Sequence, residues 1–406
     1  MHILLIHQAF VDLDQPGGTR HAEFARHLVA QGHRVTVIAS PVSYLTGAEQ
    51  VGSQAVLPEG LTILRAATYR ALHRSFVHRL LSFFSFTASA FFIGLRVRKV
   101  DLVWGTTPPI FQAVTAWALA RLKRARFLLE VRDLWPAFAV EVGVLRNRLL
   151  IRASEWLERF LYRQADVLIA NSPGFVEHIR QRSGRTAELV PNGADEAMFD
   201  PQADGEAFRQ RHALQGKFLV LYAGAHGLSN DLGVALAAAD QLRDQPEIRI
   251  VLLGDGKDKP ALQSQAADLG LDNLIFLPPV PKEQMAEALA AADACLAILK
   301  PLKLYATVYP NKVFDYLAAG RPIVLAIDGV IRQVVEAAGA GVFVAPGDPD
   351  ALAAAIRQMA VDPQRARAMG RAGRAYLQAH FSRRALARQL QTIVEAQGYN
   401  ARDGQE

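Results

Sequence analysis

Along the chain, short runs of β-branched and other apolar residues alternate with stretches whose apolar positions recur every three and four residues. HILLIH, RVTVIA, VDLVWG, RFLLEV and DVLIAN have the length and composition of parallel strands covered on both faces. Between them, TRHAEFARHLVAQG and IRASEWLERFLYRQA carry the helical period, the first ending on the C-cap-like Gly32. This alternation predicts βαβ units. It lapses into turn chemistry near VPNGADEAMFDPQADG and restarts with FLVLYAG, IRIVLLG, NLIFLP, ACLAIL, PIVLAI and GVFVAP. The expected organisation is two Rossmann-like α/β domains with parallel sheets facing across a cleft, residues 1–195 and 216–380, joined by a linker at 196–215. A last helical segment within 381–406, about Ser382 to Gln397, is free to pack back on the first domain.

Composition narrows the class. A chain of 406 residues, 51% hydrophobic, can bury large cores, and its length favours two domains. It reads as soluble and globular. The single cysteine, Cys295, cannot form an intramolecular disulfide, and MHILLIHQAF lacks the basic start and cleavage site of a signal peptide, which points to the cytoplasm. A formal charge of +6 suggests an anionic partner. Nucleic acid is disfavoured, because the one obvious basic patch interleaves with phenylalanine and leucine and no recognition motif is present.

That patch, YRALHRSFVHRLLSFFSFTASAFFIGLRVRK, breaks the βα rhythm. Its apolar run, Leu80 to Leu95, is flanked by Arg70, Arg74 and Arg79 on one side and by Arg96, Arg98 and Lys99 on the other. The run is shorter than the ~20 apolar residues of a spanning helix and holds Ser82, Ser85 and Ser89. Two readings stand: a helix lying in a membrane interface, through residues 70–99, or a core helix with basic ends.

The candidate chemistry gathers in loops that follow strands, where open α/β sheets bind their ligands. In YPNKVFDYLAAGRPIV, Pro310 and a capping Asn311 open a helix whose first turn carries Lys312 and Asp315. An ammonium beside free helix N–H groups suits a phosphate, and an acid one turn on suits a vicinal diol. Together they describe a nucleotide; the plain alternative is a solvated first turn. DQPGGTR, with Gly17 and Gly18, and LYAGAHGLSND, with Gly224, His226 and Gly227, place glycine turns after the first strand of each domain. Each alone is a tight βα turn. EVRDLWP puts Arg132, Asp133 and Trp135 at the end of a strand, either as site residues or as a packed ion pair. Asp12 and Asp14 read as loop, not as a metal pair, and His7, His21 and His33 as surface or core residues. Asn192 and Gly193 make a turn at the hinge.

Taken in order, PGGTR, EVRDLWP, NSPG, VPNGAD, YAGAHG, GDG, PNKVFDYLAAGRPIV and GVFVAPGD resemble the retaining, nucleotide-sugar-dependent glycosyltransferases of family four, over about residues 2–380. The pattern is most similar to the bacterial O-antigen and capsule branch that includes N-acetylfucosamine-type transferases. The resemblance implies the glycosyltransferase-B fold, an acceptor-handling first domain and a donor-binding second one. It implies that Asp315, matching the second acid of the family's Glu-x7-Glu element, holds the donor ribose. Gly17 and Gly18 would approach the diphosphate, Gly224 and His226 the phosphates and sugar, and Gly254, Asp255 and Gly256 the base. Asp133, with Arg132 in place of the family's histidine, would serve the acceptor or a catalytic neighbour.

Two departures stand out: Thr307 replaces the first acid of the pair, and the usual Arg and Lys after the first strand of the second domain are missing. Lys312 is the candidate to supply that charge. The expected activity is transfer of an N-acetylated amino or deoxyamino sugar from a uridine diphosphate (UDP) sugar to a polyprenyl-diphosphate-linked acceptor at the inner membrane face. The configuration would be retained, with neither metal nor cofactor. A non-hydrolysing sugar-nucleotide 2-epimerase and a non-catalytic nucleotide-sugar-binding subunit are the alternatives.

Overall fold

A computed structural model describes residues 1–399 except 16, 44–46, 48, 50–55, 71–75 and 202; Arg74, named above, lies outside the described residues. The chain divides into two units, one of residues 1–14, 18–191 and 385–406, the other of residues 15–17 and 192–384. The stretch 196–215 lies within the second unit and includes a short helix, Glu206–Arg211.

The first unit is built on seven parallel strands: β1 (His2–Ile6), β2 (Arg34–Ala39), β3 (Leu61–Arg65), β4 (Leu102–Thr107), β5 (Arg126–Val131), β6 (Val167–Ala170) and β7 (Glu188–Leu189). They lie side by side in the order β3-β2-β1-β4-β5-β6-β7. The edge strands β3 and β7 are the two that the sequence pattern did not predict. β3 is half-exposed and β7 only two residues long, so neither shows a continuous apolar run. Strands 1, 4, 5 and 6 are buried along almost their whole length, as apolar runs in a sheet covered on both sides must be.

Right-handed crossovers fix which helix covers which face. The helix Arg20–Ala30 steps from β1 towards β2, while Phe76–Arg96, Ile110–Lys123 and Arg148–Gln164 step the other way and cover the opposite face. Gly105 in β4 lets the second of these sit close, since a Cβ there would lie 2.7 Å from Ala116. On the first face, Ile3, Leu5, Trp104 and Leu128 pack with Phe24 and Leu28, and with Leu386, Leu390 and Val394 of the last helix, Arg383–Tyr399. His27 and His33 tie that helix down through Gln391 and Glu395, at 3.0 Å each.

The helix Phe76–Arg96 has one side in the core and one side exposed. One side, Ser82, Phe86 and Ala90, is buried, and Gly94 faces Leu119 of the neighbouring helix. The other side leaves Val77, Leu81, Phe84, Phe92 and Leu95 exposed. Its apolar stretch runs from Val77 to Arg96, 20 residues, longer than expected from the run Leu80 to Leu95, and by length and composition alone it could cross a membrane.

The second unit has six parallel strands: β8 (Phe218–Ala223), β9 (Ile248–Leu253), β10 (Leu274–Leu277), β11 (Ala294–Ile298), β12 (Ile323–Ala326) and β13 (Gly341–Phe343), in the order β10-β9-β8-β11-β12-β13. All six coincide with the apolar runs in the sequence. The topological reversal falls beside β8, where the first and fourth strands are neighbours, so the loops after β8 and β11 open at the same edge.

Candidate functional site

At the C-terminal edge of the second sheet, two loops and one helix converge. After β8 the chain turns at Gly224, after β9 at Gly254–Gly256, and the helix Asn311–Ala318 brings Lys312 of its first turn against Gly224. The loops are in backbone contact: Gly224 donates to Leu253 O, His226 N donates to Asp255 O at 2.8 Å, and Asp258 N returns a bond to His226 O at 2.9 Å. Lys259 Nζ clamps them by donating to the carbonyls of Gly254 and Leu277, at 2.7 and 2.9 Å.

Only glycine fits at this crossing. A Cβ on Gly254 would lie 1.8 Å from Gly224 O, and Gly254 has φ +148°. Because the obstacle is backbone, Gly254→Ala is expected to destabilise the protein by roughly 3 kcal/mol or more, read as a lowered urea midpoint. A midpoint within error of wild type would mean that the loops do not meet as described.

Gly224 makes room for Lys312. Its Cβ would come within 2.8 Å of Lys312 Nζ, which sits 3.7 Å from the centroid of the Tyr222 ring and 3.5 Å from Asn230 Oδ1. The ammonium therefore rests on a π face beside a side-chain amide oxygen and makes no ion pair among the described residues. Burial pushes its pKa down to about 7. Pro310, not Asn311, caps this helix and no side chain caps it, so the expected Asn311 cap is replaced by an extended proline with Asn311 as first helical residue. The result is a helix start without a side-chain cap, beside a cation that makes no ion pair among the described residues, an arrangement that attracts a phosphate.

Asp315 is one turn on, as expected, and pairs with Lys282 at 2.5 Å. No local spacing points to this partner, which belongs to a different helix, Lys282–Ala291. Thr307 ends a 3₁₀ turn and donates to Leu304 O at 2.6 Å. Asp255 accepts from Gly256 N at 2.8 Å and so shapes its own loop. His226 lies fully buried under the crossing, 0% exposed, against Tyr222 and Phe276, and neither ring nitrogen has a partner among the described residues. Burial, then Lys259 and Lys312, lower its pKa to about 4, so it is neutral near pH 7. It stands beneath the loops rather than on their surface. Asn192 extends the cluster by donating from Nδ2 to Tyr309 O at 2.7 Å, and Arg383 donates to Gly193 O at 2.6 Å.

The first unit holds a second constellation, at the ends of β1 and β5. Strand alternation puts His7, Trp104, Glu130 and Arg132 on the face covered by the helix Arg20–Ala30. Glu130, fully buried, accepts from Arg20 Nε at 2.9 Å, from His21 Nε2 at 2.7 Å and from Trp104 Nε1 at 3.1 Å. Arg20 also donates to the carbonyls of Val190 and Pro191, at 2.7 and 2.6 Å. One guanidinium thus joins the PGGTR, EVRDLWP and VPNGAD segments. Burial would raise the Glu130 pKa, but His21, Arg20 and Arg132 outweigh it and hold the carboxyl well below its usual range. Burial, against Glu130, keeps His21 neutral with a pKa of about 4.

Arg132 reaches His7 Nε2 at 3.3 Å, and since guanidinium only donates, His7 carries its proton on Nδ1, facing Thr106 Oγ1 at 2.9 Å. Asp133 is half-buried beyond it, its pKa raised to about 6 by burial against the Leu134 N–H and Arg132. Trp135 meets Phe111 edge-on. Gly17 and Gly18 are exposed in the loop before Arg20, Gly17 with φ +143°. Asp12 is held by Arg26 at 2.9 Å. Among the described residues no three His, Cys, Asp or Glu side chains come together to hold a metal ion. The sequence reading passes over Arg20, Trp104 and Glu130 and takes His21 only as a surface or core residue, although one acid inside the apolar run RFLLEV was the available signal, because such an acid must be paired.

Residues 17–193 match the family described as "Glycosyl transferase 4-like domain", and residues 204–376 the one described as "Glycosyl transferases group 1". A protein of Escherichia coli K12, "Putative colanic acid biosynthesis glycosyl transferase WcaI", is 29% identical over 365 residues, 86% of this chain and 89% of that one. Among solved structures, the sucrose-phosphate synthase of Thermosynechococcus elongatus superposes with a TM-score of 0.79 at 19% identity, covering 98% of this chain and 99% of that one. Anabaena HepE, solved in complex with UDP-glucose, superposes with a TM-score of 0.73 at 18% identity, covering 98% and 100%. The fold is the glycosyltransferase-B fold.

Proposed function

We propose that this glycosyltransferase, a 4-like domain followed by a group 1 domain, builds cell-surface polysaccharide of the O-antigen or capsule kind. It transfers an N-acetylated amino or deoxyamino sugar from a UDP-sugar to a polyprenyl-diphosphate-linked acceptor, with retention of configuration. The colanic acid transferase relative supports the polysaccharide setting, and the UDP-glucose complex of HepE supports a uridine nucleotide. The observation that carries the reading is Lys312, an ammonium at a helix start with Tyr222 and Asn230 as its neighbours and room left by Gly224.

Breaking the anomeric bond leaves a diphosphate whose new charge must be stabilised where it develops. Lys312 and the first N–H groups of the helix Asn311–Ala318 do this, in place of the family's missing Arg and Lys. Asp315, held in place by Lys282, accepts hydrogen bonds from the ribose hydroxyls, and the loops at Gly224 and Gly254–Gly256 hold phosphate and base by backbone. His226 acts from below as a positioning residue. In the first unit, Asp133 orients the acceptor hydroxyl and Arg132 faces the acceptor's charge, and separately the turn at Gly17 and Gly18 offers N–H groups to phosphate. Transfer takes place at the cytoplasmic face of the membrane, with the exposed side of the helix Phe76–Arg96 on the lipid surface.

Calorimetric titration tests the donor assignment. UDP is expected to bind at least about tenfold tighter than guanosine diphosphate, and Asp315→Ala to weaken UDP by about 1.5–3 kcal/mol, the size of hydrogen bonds to a charged group. Equal binding of both nucleotides would overturn the uridine assignment. Incubation with a lipid-linked acceptor and labelled UDP-N-acetylhexosamines then reads transfer itself; free sugar or an epimerised donor as the product would refute it.

A further inference from the structure

A second helix of the first unit, Arg148–Gln164, turns an unexplained face outward. Leu149 is 75% exposed, Leu150 55% and Trp156 63%, and Arg148, Arg152 and Arg159 are exposed around them. Residues 149, 152, 156 and 159 fall on one helical stripe. Its acids are used elsewhere: Glu155 and Glu158 bind Arg182 at 2.8 and 2.9 Å, and Glu158 also binds His178 at 3.1 Å, all on the helix Pro173–Ser183. The outward stripe therefore presents leucine, tryptophan and cations only.

This helix shares its side of the sheet with Phe76–Arg96, with Ile110–Lys123 between them. Trp156 stacks on Phe160 at 5.5 Å, and Phe160 meets Trp117 of the middle helix edge-on at 5.0 Å. Neither Phe76–Arg96 nor Ile110–Lys123 contains an acid. We infer that Arg148–Gln164 is a second bilayer contact, its Leu149, Leu150 and Trp156 entering the headgroup boundary and its arginines pairing with anionic phospholipid. Large apolar residues beside exposed arginines match a membrane interface, where tryptophan is favoured and each cation adds to binding. A second copy of the chain is the poorer occupant, because like faces would bring arginines together. The inference rests on the reading that Phe76–Arg96 lies on the membrane, and adds a second point of attachment that fixes how the unit lies on the lipid.

The test is co-sedimentation of the full chain with vesicles of phosphatidylethanolamine and phosphatidylglycerol, compared with phosphatidylcholine alone. Leu149→Ser/Leu150→Ser/Trp156→Ser is expected to lower the partition coefficient about tenfold or more, with UDP affinity and thermal midpoint near wild type because all three sites are exposed. Wild type should partition far less onto the neutral vesicles. If the triple variant binds like wild type while Leu81→Ser/Phe92→Ser loses binding, Arg148–Gln164 is not a membrane contact and the reading of Phe76–Arg96 survives. Should wild type ignore both vesicles, both ideas fall. A dimer in sedimentation velocity that the triple variant dissociates, with vesicle binding unchanged, would assign the face to self-association instead.

Discussion

Replacing Glu130 by glutamine is expected to destabilise the protein by about 3–5 kcal/mol, the cost of removing one partner from a buried ion pair. For a unit of this size that is a fall of roughly 10 °C in thermal midpoint. The large value comes from what is left behind. Arg20 is buried with its Nε on Glu130 and its other two nitrogens on carbonyls, so removing the carboxylate takes away the acid that pairs this charge in the core. Glu130→Gln/Arg20→Leu should for that reason lose less than Glu130→Gln alone, a coupling that scanning calorimetry of the four proteins measures. The pH dependence has a fixed sign. A carboxyl held below its ordinary pKa contributes stability that is complete above about pH 4.5 and is lost as pH falls through the acid range. Glu130→Gln should flatten that part of the wild-type profile; an unchanged acid limb and a drop below about 1 kcal/mol would show that Glu130 carries no charge worth pairing.

Lys312→Met is expected to do the opposite to stability while abolishing donor binding. The lysine pKa is lowered from 10.5 to about 7 in the folded chain, so the unfolded chain holds more protons between those values and stability rises with pH across that window. At pH 7 and below the folded protein bears the cost of the buried ammonium, of order a few kcal/mol. Methionine keeps the stem and removes that cost. The variant should therefore melt higher near neutral pH, lose the alkaline rise, and bind UDP at least about a hundredfold more weakly, since a charge-assisted contact to diphosphate is gone. Unchanged UDP binding would detach Lys312 from the donor, whatever happened to the melting temperature.

Most of the architecture was legible because buried parallel strands leave continuous apolar runs; all six strands of the second sheet announce themselves this way. β3 and β7, at the sheet edge, bury too little to leave that trace. The Lys312–Asp315 turn was legible for another reason, since charged residues on an otherwise apolar helix ask for a ligand. Its companions were not: Tyr222 and Lys282 reach the same helix from β8 and from the helix Lys282–Ala291, and no local spacing encodes that. Likewise, His7 and His21 looked unremarkable until the sheet brought them onto one face with Glu130, about 110 residues away from His21 in sequence. His226 shows the reverse case, a glycine-flanked histidine in a loop that the fold takes fully inside.

The return of the last helix has a consequence for how the polypeptide is made. Leu386, Leu390 and Val394 complete a core whose other members include Ile3, Leu5, Phe24 and Leu28, which are synthesised long before them. Every residue of the second unit, 15–17 and 192–384, has therefore been translated before the first unit can close. On the ribosome the early domain waits with an open apolar flank while the later one is already able to fold, so the order of synthesis and the order of completion are inverted.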